Sequence, residues 1–352
     1  MRQNKPEIKK QIRLLLTSSR GYINLGRIES LRNNSQYDFY IVGVDIFGDK
    51  YKLPILDEQI QIPADNERKY IGMIKKITTE KMIDVILPAS DAEVEIISKN
   101  KKLLKKMGVG TVCSSYLVTH SAVNKANMLL FLKEKKVDVP KFFIPESIKE
   151  LILAAKKLGY PKKPIIIKPA FASGNRGVWL IKENFSKELL HSRGIPRISI
   201  DEFVKQVGKL KHFPKIVLME YLSGDEYSVD GLGEKGNPIY VIPRVRVSPL
   251  PGYSQEALIH ENKEVKEYVE QICRAFGFDS IFNVQLKYGE DGKPKVYEIN
   301  PRISATAVAN TAAGVDLLLF SILKELKITY PKNIQPKKIR MIRFWKEFYT
   351  DN

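Results

Sequence analysis

The segment from Phe282 to Ser304 reads FNVQLKYGEDGKPKVYEINPRIS. Two strand-like runs flank Asp291-Gly292, a pair that favours a tight hairpin turn. Centring the loop there sets Gln285 opposite Glu298 and Asn283 opposite Asn300. Alternation along each strand puts those four side chains on one face. It turns Val284, Tyr297 and Ile299 the other way, into a core. One carboxylate among amide oxygens is a weakly charged donor set. Mg2+ prefers oxygen ligands and takes one or two carboxylates together with substrate phosphates, so this set suits Mg2+ held with a nucleotide. An ordinary solvent-facing hairpin would carry Lys, Thr and Glu there, not two Asn and a Gln followed by Pro301-Arg302.

Other residues could meet an anion. Lys168 ends the apolar run Pro164 to Lys168, where a lone ammonium is expensive to bury. Arg244 and Arg246 alternate on a strand and share a face, so they either present two guanidinium groups to an anionic substrate or form a solvent-facing pair. The turn Thr17-Ser18-Ser19-Arg20-Gly21 lacks the GxGxxG spacing and reads as an ordinary strand-to-helix turn. His120, His191, His212 and His260 are scattered, and Cys113 and Cys273 have no partner at metal-ligand spacing.

The elements that must position these residues fall into two patterns. Up to about residue 112 strands and helices alternate: Ile12 to Thr17, Leu25 to Asn33, Phe39 to Val44, Glu67 to Lys81, Ile83 to Pro88 and Asp91 to Lys105. That order predicts a parallel, Rossmann-like α/β domain. From Ser121 a helix to Lys135 leads into an α+β stretch with antiparallel strands at Pro164 to Lys168, Gly177 to Lys182, Ile216 to Tyr221, Glu226 to Leu232, Ile239 to Val247 and the hairpin itself, with helices at Glu261 to Phe276 and Thr306 to Leu326.

With Asn283-Val-Gln285 upstream, Glu298-Ile-Asn-Pro-Arg302-Ile-Ser304 resembles the metal-binding hairpin of ATP-grasp enzymes, above all the synthetase units of the carbamoyl phosphate synthase large subunit. The resemblance implies an N-terminal Rossmann-like pre-ATP-grasp domain at 1–112, then a two-lobed ATP-grasp fold with a lid at 113–215, a metal and nucleotide subdomain at 216–326, and a C-terminal extension at 327–352. It makes Gln285, Glu298 and Asn300 the metal ligands. Lys125 and Lys168 become the phosphate-binding basic residues. The loop with Ser173, Gly174, Arg176 and Gly177 would close over the phosphates through its backbone N–H groups. Glu220 and the Leu222 backbone would read the adenine, and Glu226 the ribose hydroxyls. Arg302, with Arg244 and Arg246, would meet the transferred phosphoryl group or the anionic substrate. Asp230 has no such assignment and is equally a structural polar residue.

The implied activity is an ATP-dependent ligase using Mg2+, with Mn2+ able to substitute. It would join a small-molecule carboxylate to an amine, or to a thiol, through an acyl phosphate. Carbamoyl phosphate synthases carry a second arginine in a run like NPRxSR. Here that position is Ala305, which argues against carboxyphosphate chemistry and for a larger carboxylate. The rival readings are a degenerate nucleotide-binding regulator without turnover, a carbamoyl phosphate synthase-like enzyme, and a nucleic-acid binder.

Composition bears on the last. Lys and Arg number 58 against 40 Asp and Glu, a net charge of +18, but the excess is lysine on helix faces without interleaved aromatics. We expect no nucleic-acid partner, attraction for anionic substrates, and a homodimer as the candidate assembly. No apolar run is long enough to cross a bilayer, and Met1 to Lys5 leads into a strand-like run rather than a signal-peptide core, so the expected setting is cytoplasmic.

Overall fold

A computed structural model describes residues 9–47, 53–63, 66–171, 177–183, 195–250, 253–344, 346–347 and 349. The chain begins with a five-stranded parallel sheet in the spatial order Glu58–Gln61, Tyr37–Asp45, Lys10–Leu16, Val85–Leu87, Gly110–Thr111. Leu14, Leu15 and Leu16 are all buried, as continuous apolar strands covered on both faces must be. The helices beside it start on side-chain caps. Asn66 accepts from the Arg68 and Lys69 amides, and Ser90 accepts from the Glu93 amide.

A second sheet runs Phe142–Phe143, Ile216–Glu220, Ile165–Pro169, Trp179–Ile181, Arg197–Ile198. It has its own apolar cluster, with Leu151, Ile165, Ile181, Phe203 and Leu218 at its centre. The single helix expected over Ser121 to Lys135 is instead two, Tyr116–Val123 and Lys125–Glu134. The break is Asn124, whose side chain accepts from the Ala126 and Asn127 amides and makes Lys125 the first residue of a new helix.

The third sheet has seven strands. Six follow the order Pro294–Asn300, Ile281–Tyr288, Glu226–Glu234, Arg244–Leu250, Tyr253–Ile259, Ile339–Ile342, and Asn237–Ile242 also pairs with Glu226–Glu234. The strand expected over Ile239 to Val247 is divided at Pro243, which has no N–H to donate to a ladder. The helix expected over Thr306 to Leu326 is likewise divided, into Val308–Ala312 and Leu317–Glu325. Between them Gly314 takes φ +94° and Asp316 caps the second helix.

One apolar cluster joins the parallel sheet to the third sheet. Leu14, Ile41 and Leu87 share it with Leu232, Ile242 and Ile281, and the helix Leu317–Glu325 supplies much of the filling. Residues after 326 join it too, through Tyr330, Ile334 and Ile339. The first and third sheets are thereby held in fixed register, which matters because the site draws on both. Cys113 and Cys273 are buried and free. Among the described residues no helix is long and apolar enough to cross a membrane.

Candidate active site

The hairpin pairs as its turn predicts: Asn283 with Asn300, Val284 with Ile299, Gln285 with Glu298. Beyond that point the ladder shifts by one residue, and Leu286 pairs with Val296. This is a β-bulge, and Tyr297 is the extra residue. Tyr297 therefore does not join Val284 and Ile299 as expected, and packs instead against the small apolar cluster of Ile166, Val178 and Met219. Two residues set against one place its ring on the same side as Gln285, with its hydroxyl 3.1 Å from Gln285 Oε1 and 2.8 Å from Glu226 Oε1.

The polar face continues across neighbouring strands. Glu226, Ser228 and Asp230 pair with Lys287, Gln285 and Asn283. Asn283 donates to Asp230 Oδ1 at 2.8 Å, and Arg244 Nη1 and Asn310 Nδ2 each donate to Asp230 Oδ2 at 2.8 Å. Arg244 also reaches Ser228 and Ser304, and no part of it is exposed. Arg244 and Arg246 do project from one face, but Arg244 does not present its guanidinium outward. Its charge is spent inside a closed network that ties the Arg302-Ile-Ser304 turn to the sheet. Asp230, left without a role by the sequence, is the centre of that network. Arg246 donates to Ser254 Oγ at 2.9 Å and to Glu226.

The second sheet carries Lys168, at the end of the strand Ile165–Pro169. Lys168 is 8% exposed, and its ammonium lies 4.1 Å from the Tyr297 ring centroid. Among the described residues it has no hydrogen-bond or ion-pair partner. Burial lowers it to about 8; Glu298 opposes the shift, and Lys125 adds to it. The Lys125 amide donates to Ala170 O at 2.8 Å, which anchors that helix start beside the Lys168 strand. Glu298 is also 8% exposed, and its carboxylate has no hydrogen-bond or ion-pair partner among the described residues. Lys168 and Glu298 are thus a buried cation and a buried carboxylate, each short of partners among the described residues, and the charge of Glu298 is felt at Lys168. Such groups are costly unless something else satisfies them.

These residues fit a magnesium–nucleotide pair. Among the described residues no three or more His, Cys, Asp and Glu gather as a metal cluster. The candidate set is instead one carboxylate, Glu298, with the amide oxygens of Gln285 and Asn300. That is sparse enough to need ligand phosphates as well. Asn300 Oδ1 accepts from Arg302 Nη2 at 3.2 Å. Arg302 in turn donates to both carboxylate oxygens of Asp91, at 2.7 and 3.2 Å. Asp91 begins a helix of the parallel-sheet region and lies 211 residues away in sequence, so nothing local announced the pair.

Glu220 is the last residue of the strand Ile216–Glu220, and Leu222 follows it. Glu220 Oε1 accepts from the Lys141 amide at 2.8 Å and lies 3.5 Å from the Lys295 ammonium. Leu222 is buried. Ser173, Gly174 and Arg176 lie outside the described residues. Gly177 takes φ +71°, and a Cβ there would stand 2.7 Å from Pro169 Cγ. Gly177→Ala is therefore doubly strained, against the strand that carries Lys168. It should lower the melting temperature by a few degrees and raise the KM for nucleotide about tenfold, and steady-state kinetics beside a thermal melt would check this.

Residues 212–346 match a family model described as ATP-grasp in the biosynthetic pathway with Ter operon. The carbamoyl phosphate synthase large chain of Methanothermobacter thermautotrophicus is 21% identical over 257 residues, covering 69% of this chain and 23% of that protein. The formate-dependent phosphoribosylglycinamide formyltransferase of Bacteroides fragilis is 24% identical over 261 residues, covering 71% of this chain and 62% of that one. In structure the chain is similar to the Staphylococcus aureus N5-carboxyaminoimidazole synthetase complexed with ADP, with TM-score 0.71, 18% identity, and coverage of 97% of this chain and 84% of that one.

The chain has the ATP-grasp fold.

The mixed architecture described above, a parallel sheet followed by antiparallel sheets, is the ATP-grasp arrangement. The chain spans less than two thirds of the length of either curated relative. Besides Tyr297, three neighbours of the candidate residues escaped the sequence reading: Asp91, which holds Arg302; Lys295, which lies 3.5 Å from Glu220; and Lys287, 3.6 Å from Glu226.

Proposed function

We propose that this chain is an ADP-forming ATP-grasp ligase that activates a carboxylate as an acyl phosphate and passes the acyl group to an amine. The observation that carries the reading is that two buried groups, Lys168 and Glu298, have no hydrogen-bond or ion-pair partner among the described residues. A polyphosphate with its cation would satisfy both.

The chemistry follows from charge. A carboxylate oxygen attacks the γ-phosphorus, the bond to the β,γ-bridging oxygen breaks, and ADP leaves. Lys168 and Lys125 offset the negative charge of the phosphates, and Arg302 stands beside Asn300 to hold the transferred group. When bound, Mg2+ held by Gln285, Glu298 and Asn300 would polarise the phosphoryl oxygens. The amine then attacks the acyl carbon and loses a proton, and phosphate departs. Arg246, at the edge of the same face, is the second guanidinium available to an anionic substrate. The similarity to a protein with a synthase name supports this reading, as does the structure of the similar synthetase complexed with ADP.

The test is turnover across a matrix of carboxylates and primary amines with Mg2+ and ATP. The expected result is ADP and phosphate released only when a carboxylate is present, with a new amide formed when its amine is added. AMP and pyrophosphate as products would reject the acyl phosphate route. Tight nucleotide binding with no turnover on any pair would favour a regulator that binds ATP without using it.

A further inference from the structure

Arg302, which stands beside Asn300 to hold the transferred group, is held in turn by two segments of the parallel-sheet region. Asp91 grips its side chain. The second segment is the helix Asn24–Arg32, and Arg27 makes the contact. Arg27 Nη2 donates to Ile303 O at 3.2 Å and to Ser304 O at 2.9 Å, the two carbonyls that follow Arg302. Arg302 Nη1 donates to the same Ile303 O at 3.1 Å. Two guanidinium groups from distant segments thus share one carbonyl oxygen.

Residues 302–305 lie in neither helix nor strand, so the main chain there has no ladder of its own. Guanidinium groups take its carbonyls: Arg27 at Ile303 and Ser304, and Arg343 Nη2 at Ala305 O, 2.7 Å away. The base from which Arg27 reaches is rigid. Its Nη1 donates to Asn24 Oδ1 at 2.6 Å, and Asn24 Nδ2 donates to Ser18 O at 2.7 Å. Ile28 and Leu31 of the same helix belong to the apolar cluster that joins the first and third sheets. The helix also packs closely on Val308, just past the turn: a Cβ at Gly26 would stand 3.4 Å from Val308 Cγ1.

Stability alone does not account for Arg27. It is 3% exposed, with no carboxylate within ion-pair distance among the described residues, and its Nε has no hydrogen-bond partner among them. Burial pushes the guanidinium down to about 9; Arg302 adds to the fall, and Asp230 opposes it. A buried guanidinium set beside a second one is a destabilising arrangement. Its effect is geometric. One planar group reaches two successive carbonyls, and the main chain that carries Arg302 cannot shift without breaking those bonds.

We propose that Arg27 is a positioning residue for phosphoryl transfer: it fixes the main chain behind Arg302 while Asp91 fixes the side chain, so that the parallel-sheet region aims the guanidinium that meets the transferred group. The role of Arg302 in that step rests on the ligase reading; the restraint of residues 302–304 by Arg27 does not.

Hydrogen exchange on peptides covering residues 300–307 tests the restraint without turnover. In Arg27→Met those peptides should exchange about tenfold faster than in the parent. Peptides from the strands Lys10–Leu16 and Ile281–Tyr288 should be unchanged, which shows that the variant folds. In the ligase assay Arg27→Met should lower kcat about a hundredfold, the size of a small misplacement at the reacting centre, with KM for ATP within about twofold of the parent. Combined with Arg302→Met it should cost nothing further, because a residue that acts only through Arg302 has no effect once Arg302 is gone. Arg27→Lys keeps the charge without the planar fork. It should show both effects at a smaller size, and it carries the test if Arg27→Met does not fold. Unchanged exchange at residues 300–307, a KM for ATP that rises as kcat falls, or losses that add in the double variant would overturn the proposal. Faster exchange in a chain that turns over no carboxylate would uphold the restraint and count against the ligase reading instead.

Discussion

Glu298→Gln should abolish magnesium-dependent turnover, by roughly 10³-fold or more, without destabilising the protein. The first half follows from the proposed donor set: the amide oxygens of Gln285 and Asn300 carry no formal charge, so within that set Glu298 alone offers a negative charge to a cation. The second half follows from burial. A carboxylate with no partner contributes a desolvation cost and no hydrogen bond, so exchanging it for a neutral amide of the same shape removes cost. The free variant should melt at or above the temperature of the parent. Added Mg2+ and ATP should raise the melting point of the parent and leave the variant unmoved. A variant that keeps near-normal activity, or that unfolds, would show Glu298 to be a structural residue.

Lys168→Met should cost about 10²- to 10³-fold in kcat/KM, because it removes the buried cation while keeping an unbranched side chain of similar length. The pH dependence follows from its depressed pKa. In the free enzyme Lys168 is charged below about 8 and neutral above it. Phosphates bind the charged form, so nucleotide affinity is full below about 8 and falls as pH rises through it, by up to about tenfold per unit. Glu298 pulls the Lys168 pKa up, so in Glu298→Gln the fall should begin at lower pH. In Lys168→Met it should vanish. Binding titrations with ATP in the absence of Mg2+ separate this effect from metal binding. A profile that is flat across that range in the parent would mean that Lys168 does not touch the phosphates.

The features legible in the sequence were local ones. The Asp291-Gly292 turn fixed which residues of the hairpin oppose each other near its far end, and the structure keeps Gln285 against Glu298 and Asn283 against Asn300. The same alternation misplaced Tyr297, because a bulge adds one residue to one strand and no pattern of residue types marks where. Breaks at Asn124, Pro243 and Gly314 each have a cap, a missing donor or a positive φ that could have been weighed more heavily than the apolar runs around them. The strands Tyr253–Ile259 and Ile339–Ile342 were not foreseen; the second is a half-exposed strand at the sheet edge, where apolar alternation is weak. The Arg302–Asp91 pair and the Arg244 network are contacts between distant segments, and a single sequence does not encode which distant charge a guanidinium will find. Arg244 shows the consequence: shared-face geometry was right, yet the face at that strand is closed by Asp230, Ser304 and Asn310.

The most direct measurement of the central claim is the fate of a carboxylate oxygen. Once the turnover matrix has yielded an active carboxylate, that acid is labelled with 18O and the released phosphate is analysed by mass. An acyl phosphate carries one carboxylate oxygen into the bridge between carbon and phosphorus, and amine attack at carbon leaves that oxygen on phosphate. The account predicts one 18O atom in each phosphate released per amide formed. Unlabelled phosphate accompanying amide formation, or label appearing in AMP, would contradict it.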